Sequence, residues 1–317
     1  MIHVGLDEAG YGPLLGPLVV AAAVFRVADP YDGAPTLRER LAGLVCAADG
    51  PRTANALPVA LDDSKAVHGR FGVAGLARGV AFAAAASGRA VPTDLADLLE
   101  RFGDRGPDAF VADPWFAAPE RARIEPWDEP SGLRETLLLR GAEPVSLLVS
   151  PATPFELNEA FDRIGNKGRV LFLATAALLV RVLGDHPLED VSVVLDRQGG
   201  RLDYDAYLAE VFPYQDVRRE PAPPGTTRYV FEAGGRRVRL AFTTKGDAVD
   251  LPTGLASMAA KLTRELFMAR LNAWFLARAP GVRATAGYVE DGRRFLVDVA
   301  SVLESERIEL RRLVRSR

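Results

Sequence analysis

The opening 27 residues narrow the possible folds most. His3–Asp7 and Leu18–Val27 are apolar, β-branched runs that read as strands. The segment at their junction, GLDEAGYGPLLGP at 5–17, ends the first strand on two adjacent acids and follows them with glycines at 10, 12 and 16. Further strand-like runs at Val145–Val149 and Val191–Asp196 are interleaved with helical patterns at Pro154–Ile164, Gly168–Leu183 and Tyr204–Phe212. Arg228–Glu232 and Arg237–Thr243 flank Gly234-Gly235 as a hairpin, and a long helix runs from about Gly254 to Arg278. Strands alternating with helices predict an α/β fold.

The 317 residues suffice for one large domain, read here as a single domain over 1–317. Residues 85–140, crowded with Pro, Asp, Arg and Ala, are expected to form an inserted lobe with a small core of its own. A helix and hairpin insertion is expected at about 203–243, and 29–58 is turn-rich apart from an amphipathic piece around Leu37–Leu44. With 48% hydrophobic and 26% charged residues the chain has the balance of an ordinary globular protein. Its single cysteine, Cys46, can close no intrachain disulfide and gives no zinc-site spacing, so a cytoplasmic location is expected. The N-terminus enters an apolar strand at once and reaches two acids, unlike a signal peptide. Val170–Val180, the most apolar stretch, is too short to span a membrane, and no membrane partner is expected. A net charge of −3 argues against a polyanionic partner, but its distribution argues for one. From Arg218 onward there are 19 Lys and Arg against 11 Asp and Glu, which leaves 20 against 31 in the rest.

Chemistry concentrates where acids meet strand ends. A dinucleotide-binding loop is excluded at 5–17, because a phosphate cradle wants bare backbone N–H groups and adjacent carboxylates would repel the phosphate. Carboxylates at a strand end suit a divalent metal, which can in turn hold phosphate. Asp196 ends the apolar strand VSVVLD, where an acid is costly unless solvated or ligating, and Asp247 follows the hairpin in KGD. On the long helix, Ser257, Lys261 and Arg264 fall on one face and Leu255, Met258, Ala259, Leu262 and Leu266 on the opposite one. An exposed Ser/Lys/Arg stripe fits contact with a phosphodiester backbone. His3, His68 and His186 are scattered, and Ser64-Lys65 lacks the oxyanion loop a serine–lysine dyad needs.

The ordered set DEAGYGPLLGP at 7–17, LDDSK at 61–65, VVLD at 193–196, KGD at 245–247, ASMAAKLTR at 256–264 and AGYVEDG at 286–292 resembles the ribonuclease HII family. Members of that family open on DEAGRGPLAGP and carry a DSK segment, then an acid after a buried strand. KGD, an ASxxAKxTR helix and a GY turn follow in that order. FELNEAF at 155–161 is similar to the family's acidic EID-type segment.

The resemblance implies a ribonuclease H-like mixed central sheet flanked by helices. It implies a hydrolase, a metal-dependent endoribonuclease that cuts the RNA strand of RNA/DNA hybrids or at ribonucleotides embedded in duplex DNA. Asp7, Glu8, Asp196 and Asp247 would be its catalytic metal ligands, holding two ions of Mg²⁺ or Mn²⁺. Lys65, Ser257, Lys261 and Arg264 would contact backbone phosphates. Gly10, Tyr11, Gly12 and Tyr288 would read the 2′-OH from the minor groove. Here GRG has become Gly10-Tyr11-Gly12, Thr285-Ala286 precede the late GY, and Arg197-Gln198-Gly199-Gly200 follow the acid at 196. Two alternatives stay open: a relative that binds duplex nucleic acid without cutting it, and a nuclease with a different substrate.

Overall fold

The structure, a computed structural model, describes residues 1–28, 35–50, 57–117, 123–127 and 130–317. Its strands are β1 (Ile2–Ala9), β2 (Leu18–Val27), β3 (Val45–Cys46), β4 (Val59–Ala60), β5 (Ala142–Ala152), β6 (Val191–Asp196), β7 (Arg218–Glu220), β8 (Thr226–Ala233) and β9 (Arg236–Thr243). Seven form one sheet in the order β5-β2-β1-β6-β9-β8-β7, and β3 pairs with β4 apart from it. The sheet is mixed. β1, β6 and β9 run parallel at its centre, and the pairs on either side are antiparallel. No helix among the described residues is long and apolar enough to cross a membrane.

The helices are α1 (Leu37–Arg40), α2 (Ser64–Ala86), α3 (Leu95–Phe102), α4 (Pro114–Ala117), α5 (Leu133–Leu139), α6 (Pro154–Ile164), α7 (Lys167–Asp185), α8 (Asp205–Val211), α9 (Gly246–Val249), α10 (Leu251–Arg278), α11 (Val289–Asp298), α12 (Ala300–Ser305) and α13 (Leu310–Leu313). Local chemistry sets the starts of those that matter most. Thr153 and Glu156 form a capping box on α6, Asn166 caps α7, and Asp250 caps α10 ahead of Pro252. The period of two in β2 divides the core. Val19, Ala21, Ala23 and Phe25 join the apolar cluster of α2 and α10, while Leu18, Val20, Ala22 and Val24 join that of α7. The expected α/β architecture, a mixed sheet flanked by helices, is present.

Residues 85–140 differ from expectation. Leu98, Phe102, Phe110, Trp115, Phe116 and Leu137 belong to the same cluster as α10, so the described part of this segment has no separate core. Trp115 stacks on Phe275 with centroids 5.8 Å apart, and Phe116 meets Phe267 edge-on at 4.7 Å. The segment is a wall of the main core. Part of 29–58 lies outside the described residues, and the amphipathic piece there shrinks to α1.

In β1, Ile2, Val4 and Leu6 face α7, which leaves His3, Gly5 and Asp7 for α10. These three meet successive points on that helix. His3 Nε2 lies 2.7 Å from Asp250 Oδ1, and both side chains are under a fifth exposed. Burial lowers the His3 pKa, but the field and hydrogen bond of Asp250 outweigh it and leave a net rise. Burial raises Asp250, and His3 and Thr253 more than reverse this. The pair's contribution is therefore complete below about pH 6.5 and fades as pH rises through the raised His3 pKa. At the acid end it is lost when Asp250 takes up its proton. His3→Gln is expected to cost about 3 kcal/mol near pH 6 and less at pH 9, measured by urea denaturation. A difference that does not change with pH would contradict this assignment.

Candidate functional site

Three neighbouring parallel strands end at one edge of the sheet, the usual place for a ligand in an open α/β sheet. β1 delivers Asp7 and Glu8 there, and β6 delivers Asp196. β9 runs into a turn in which Lys245 takes a left-handed conformation (φ 57°), and the turn delivers Asp247 on α9. Leu6 pairs with Leu195 and Asp196 with Thr243, so the register aligns the three ends. Asp196 Oδ1 accepts a hydrogen bond from Gly246 N at 2.9 Å, which ties the two strand ends together. Asp7 Oδ1 accepts from Glu8 N at 2.7 Å.

The four carboxyls feel one another. Burial, then Glu8 and Asp247, push Asp7 well above the usual carboxylate range, while Ser257 pulls it back in part. Glu8 rises to about 7 through burial and Asp196, with Lys65 opposing. Asp247 rises to about 6 through burial, Asp63 and Asp196, again against Lys65. Such shifts mark negative charge without enough compensation. Among the described residues no three His, Cys, Asp or Glu side chains are grouped closely enough to hold a metal ion. Asp63 was not singled out from the sequence, where it stands only as part of LDDSK. It caps α2, accepting from Lys65 N at 2.7 Å, and it also faces Asp247.

The loop at 10–17 is held from three sides. Gly10 has φ 88°, and a Cβ there would sit 2.5 Å from Pro17 O and 2.8 Å from Arg264 Cδ. Leu14 N and Leu15 N both donate to Gly287 O, which joins the loop to the late GY turn. Arg315, 3% exposed, donates from Nε to Gly16 O at 2.9 Å and also reaches Gly10 O. Burial and neighbouring Arg264 lower its pKa to about 9. Sequence reasoning missed Arg315, because a basic residue in an Arg-rich tail looks like an ordinary surface charge.

The expected stripe on α10 is corrected by its surroundings. The helix is packed among β1, β2, α2 and α4, and this leaves no solvent face where the stripe was expected. Ser257 and Arg264 are each 3% exposed. The Ser257 and Ser64 hydroxyls are hydrogen-bonded at 3.0 Å, and Arg264 donates to Ala286 O at 2.9 Å. Lys261 is half-buried and paired with Glu265 at 2.9 Å. These residues organise the site from behind. Lys65 and Gly12 are exposed, Tyr11 is half-buried, and Tyr288 is 57% exposed with the Arg264 guanidinium 5.9 Å from its ring centroid. The basic excess of the C-terminal third is mostly internal or paired, as at Arg219–Asp205, Arg239–Glu220, Arg294–Asp298 and Arg312–Asp113. An apolar groove of about 680 Å³ lined by Leu296, Leu303, Ile308 and Val314 carries Glu304 as its one charge, the wrong lining for a polyanion.

No protein-family model matches the chain, and no curated protein matches it. Among solved structures it is similar to the ribonuclease HII of Archaeoglobus fulgidus, solved in a complex with PCNA. That match has 16% identity, covers 100% of this chain and 95% of the other, and has a TM-score of 0.42. Ribonuclease H2 of Pyrococcus horikoshii matches at 15% identity over 99% of this chain and 92% of that one, with a TM-score of 0.43. Bst ribonuclease HIII, solved with Mn²⁺, matches at 14% identity over 100% and 66%, with a TM-score of 0.42. All three are ribonucleases of the HII and HIII kind.

Proposed function

We propose that this chain is a divalent-metal-dependent endoribonuclease of the ribonuclease HII type. Its substrate would be the RNA strand of an RNA/DNA hybrid, or a ribonucleotide embedded in duplex DNA. What supports this reading is that Asp7 and Glu8 on β1, Asp196 on β6 and Asp247 just after β9 belong to the same ends of adjacent parallel strands and feel one another's charge, which Lys65 only partly offsets. An all-oxygen donor set in a half-buried corner fits Mg²⁺ or Mn²⁺. Two such ions, when bound, would supply a water of lowered pKa and stabilise the leaving oxygen.

The rest falls to the protein. Asp7 and Glu8 leave a strand toward opposite faces and so present carboxylates on both sides of the edge. Asp196 and Asp247 close the set through the Gly246 hydrogen bond. Lys65, exposed on the first turn of α2, contacts a backbone phosphate. Tyr288, exposed on the turn bound to the 10–17 loop, donates to or accepts from a 2′-OH.

The test is cleavage of three duplexes with Mg²⁺ or Mn²⁺: an RNA/DNA hybrid, a duplex with one ribonucleotide, and an all-DNA duplex. RNA-containing duplexes are expected to be cut and the all-DNA duplex spared. Tyr288→Phe is expected to slow cleavage at a single ribonucleotide about tenfold, the cost of one hydrogen bond left unmade. Failure to cut either RNA-containing duplex, or equal cutting of all three, would overturn the reading.

A further inference from the structure

Tyr11 brings no positive charge to the loop beside the acids, yet one cation lies over its ring and a second near its hydroxyl. Lys167 Nζ lies 4.8 Å from the Tyr11 ring centroid. Lys167 opens α7, and a Cβ on the next residue, Gly168, would be 3.9 Å from Tyr11 Oη and 3.3 Å from Arg201 NH2. Arg201 reaches this point from the loop after Asp196. Its guanidinium carbon sits 4.2 Å from the Tyr207 centroid, and Tyr207 in turn stacks on Phe172 at 4.9 Å and 23°. The stack fixes the plane of the guanidinium in advance.

Neither cation forms a close ion pair with a carboxylate among the described residues, Asp203 feeling Arg201 only through its field, whereas Arg169 two residues on from Lys167 is paired with Glu210 at 2.7 Å. Both are half-buried. Burial and the like charge of Arg315 hold Lys167 below the ordinary lysine range. The patch is near the acids, since Tyr11 follows Glu8 by three residues and its hydroxyl feels the Glu8 charge. Unpaired positive charge, partly desolvated and braced by aromatic rings, is an arrangement that an anion relieves.

We infer that Lys167 and Arg201, braced by Tyr11 and Tyr207, bind the phosphodiester backbone of the nucleic-acid strand next to the four carboxylates. This rests on the nucleic-acid reading above and supplies cations that the buried Arg264 and the paired Lys261 do not. A phosphodiester suits the site better than a free phosphate, because a chain anchored at the acids presents its neighbouring phosphates to the patch.

The test is binding of a labelled RNA/DNA hybrid, and of an all-DNA duplex, by anisotropy without divalent cations, so that cleavage cannot enter. Lys167→Ala and Arg201→Ala should each lower the slope of log affinity against log salt by about 0.9, and the pair together by about 1.8. Each lost contact then removes roughly three- to fourfold of the affinity change between 50 and 200 mM salt. Lys167→Arg should restore the slope, and Arg169→Ala should leave it unchanged. If wild type binds duplex and the double variant keeps its slope, this assignment fails while the nuclease reading stands. If wild type binds no duplex, both fail.

Discussion

Asp7→Asn is expected to slow RNA-strand cleavage at least about 100-fold while leaving the fold intact. The asparagine keeps an oxygen to accept from Glu8 N, so the local hydrogen bond survives. It removes one of the crowded charges that burial and Glu8 make costly at Asp7. A carboxyl whose folded pKa is raised subtracts stability once pH exceeds its unfolded value, and the penalty grows up to the folded pKa. The variant should therefore be at least as stable as wild type at pH 8, with the gain vanishing below about pH 4. Turnover and urea midpoints measured on one preparation separate the two effects. Activity within a few-fold of wild type, or loss of activity together with the fold, would remove Asp7 from the catalytic set.

Gly5→Ala is expected to cost about 4 kcal/mol or more, at the exceptional end for a single substitution. The added methyl would lie 2.0 Å from Thr253 N and 2.1 Å from Pro252 C, both backbone atoms of α10. No rotamer change can relieve a contact with backbone, so β1 and the start of α10 must part. Thr253 would then lose its bond to Val194 O, and Asp7 its alignment with Ser257. Gly12→Ala is the control, because nothing lies within 4 Å of its Cβ position. Equal urea midpoints for the two variants would mean that β1 and α10 are not in this contact.

Elements with one clear local signature were readable. β2, β6 and α6 match their sequence-derived limits of Leu18–Val27, Val191–Asp196 and Pro154–Ile164, and the hairpin turns at Gly234-Gly235. α2 was not read as a helix. Gly69, Gly72, Gly75 and Gly79 dilute its propensity, and Gly72 departs from helical geometry at φ 66°. It persists because its second half is buried against α10 and the core. The stripe on α10 failed for a related reason. A helical wheel assumes one wet face, and the neighbours that enclose α10 come from distant parts of the chain. Arg264 and Arg315 became internal donors to carbonyls, a role that depends on tertiary neighbours alone.

Arg315 also sets a schedule. Its carbonyl partners at Gly10 and Gly16 lie 305 and 299 residues earlier in the chain. At ribosomal speeds of about 5–20 residues per second, the loop emerges roughly 15–60 s before the residue that clamps it. β1 and β2 can pair in that interval, but the turn between them must wait. Once made, the segment that carries Arg315 is anchored by Asn158 of α6, which donates to Arg311 O and Val314 O. The nascent chain therefore carries Asp7 and Glu8 long before it can hold the loop that follows them.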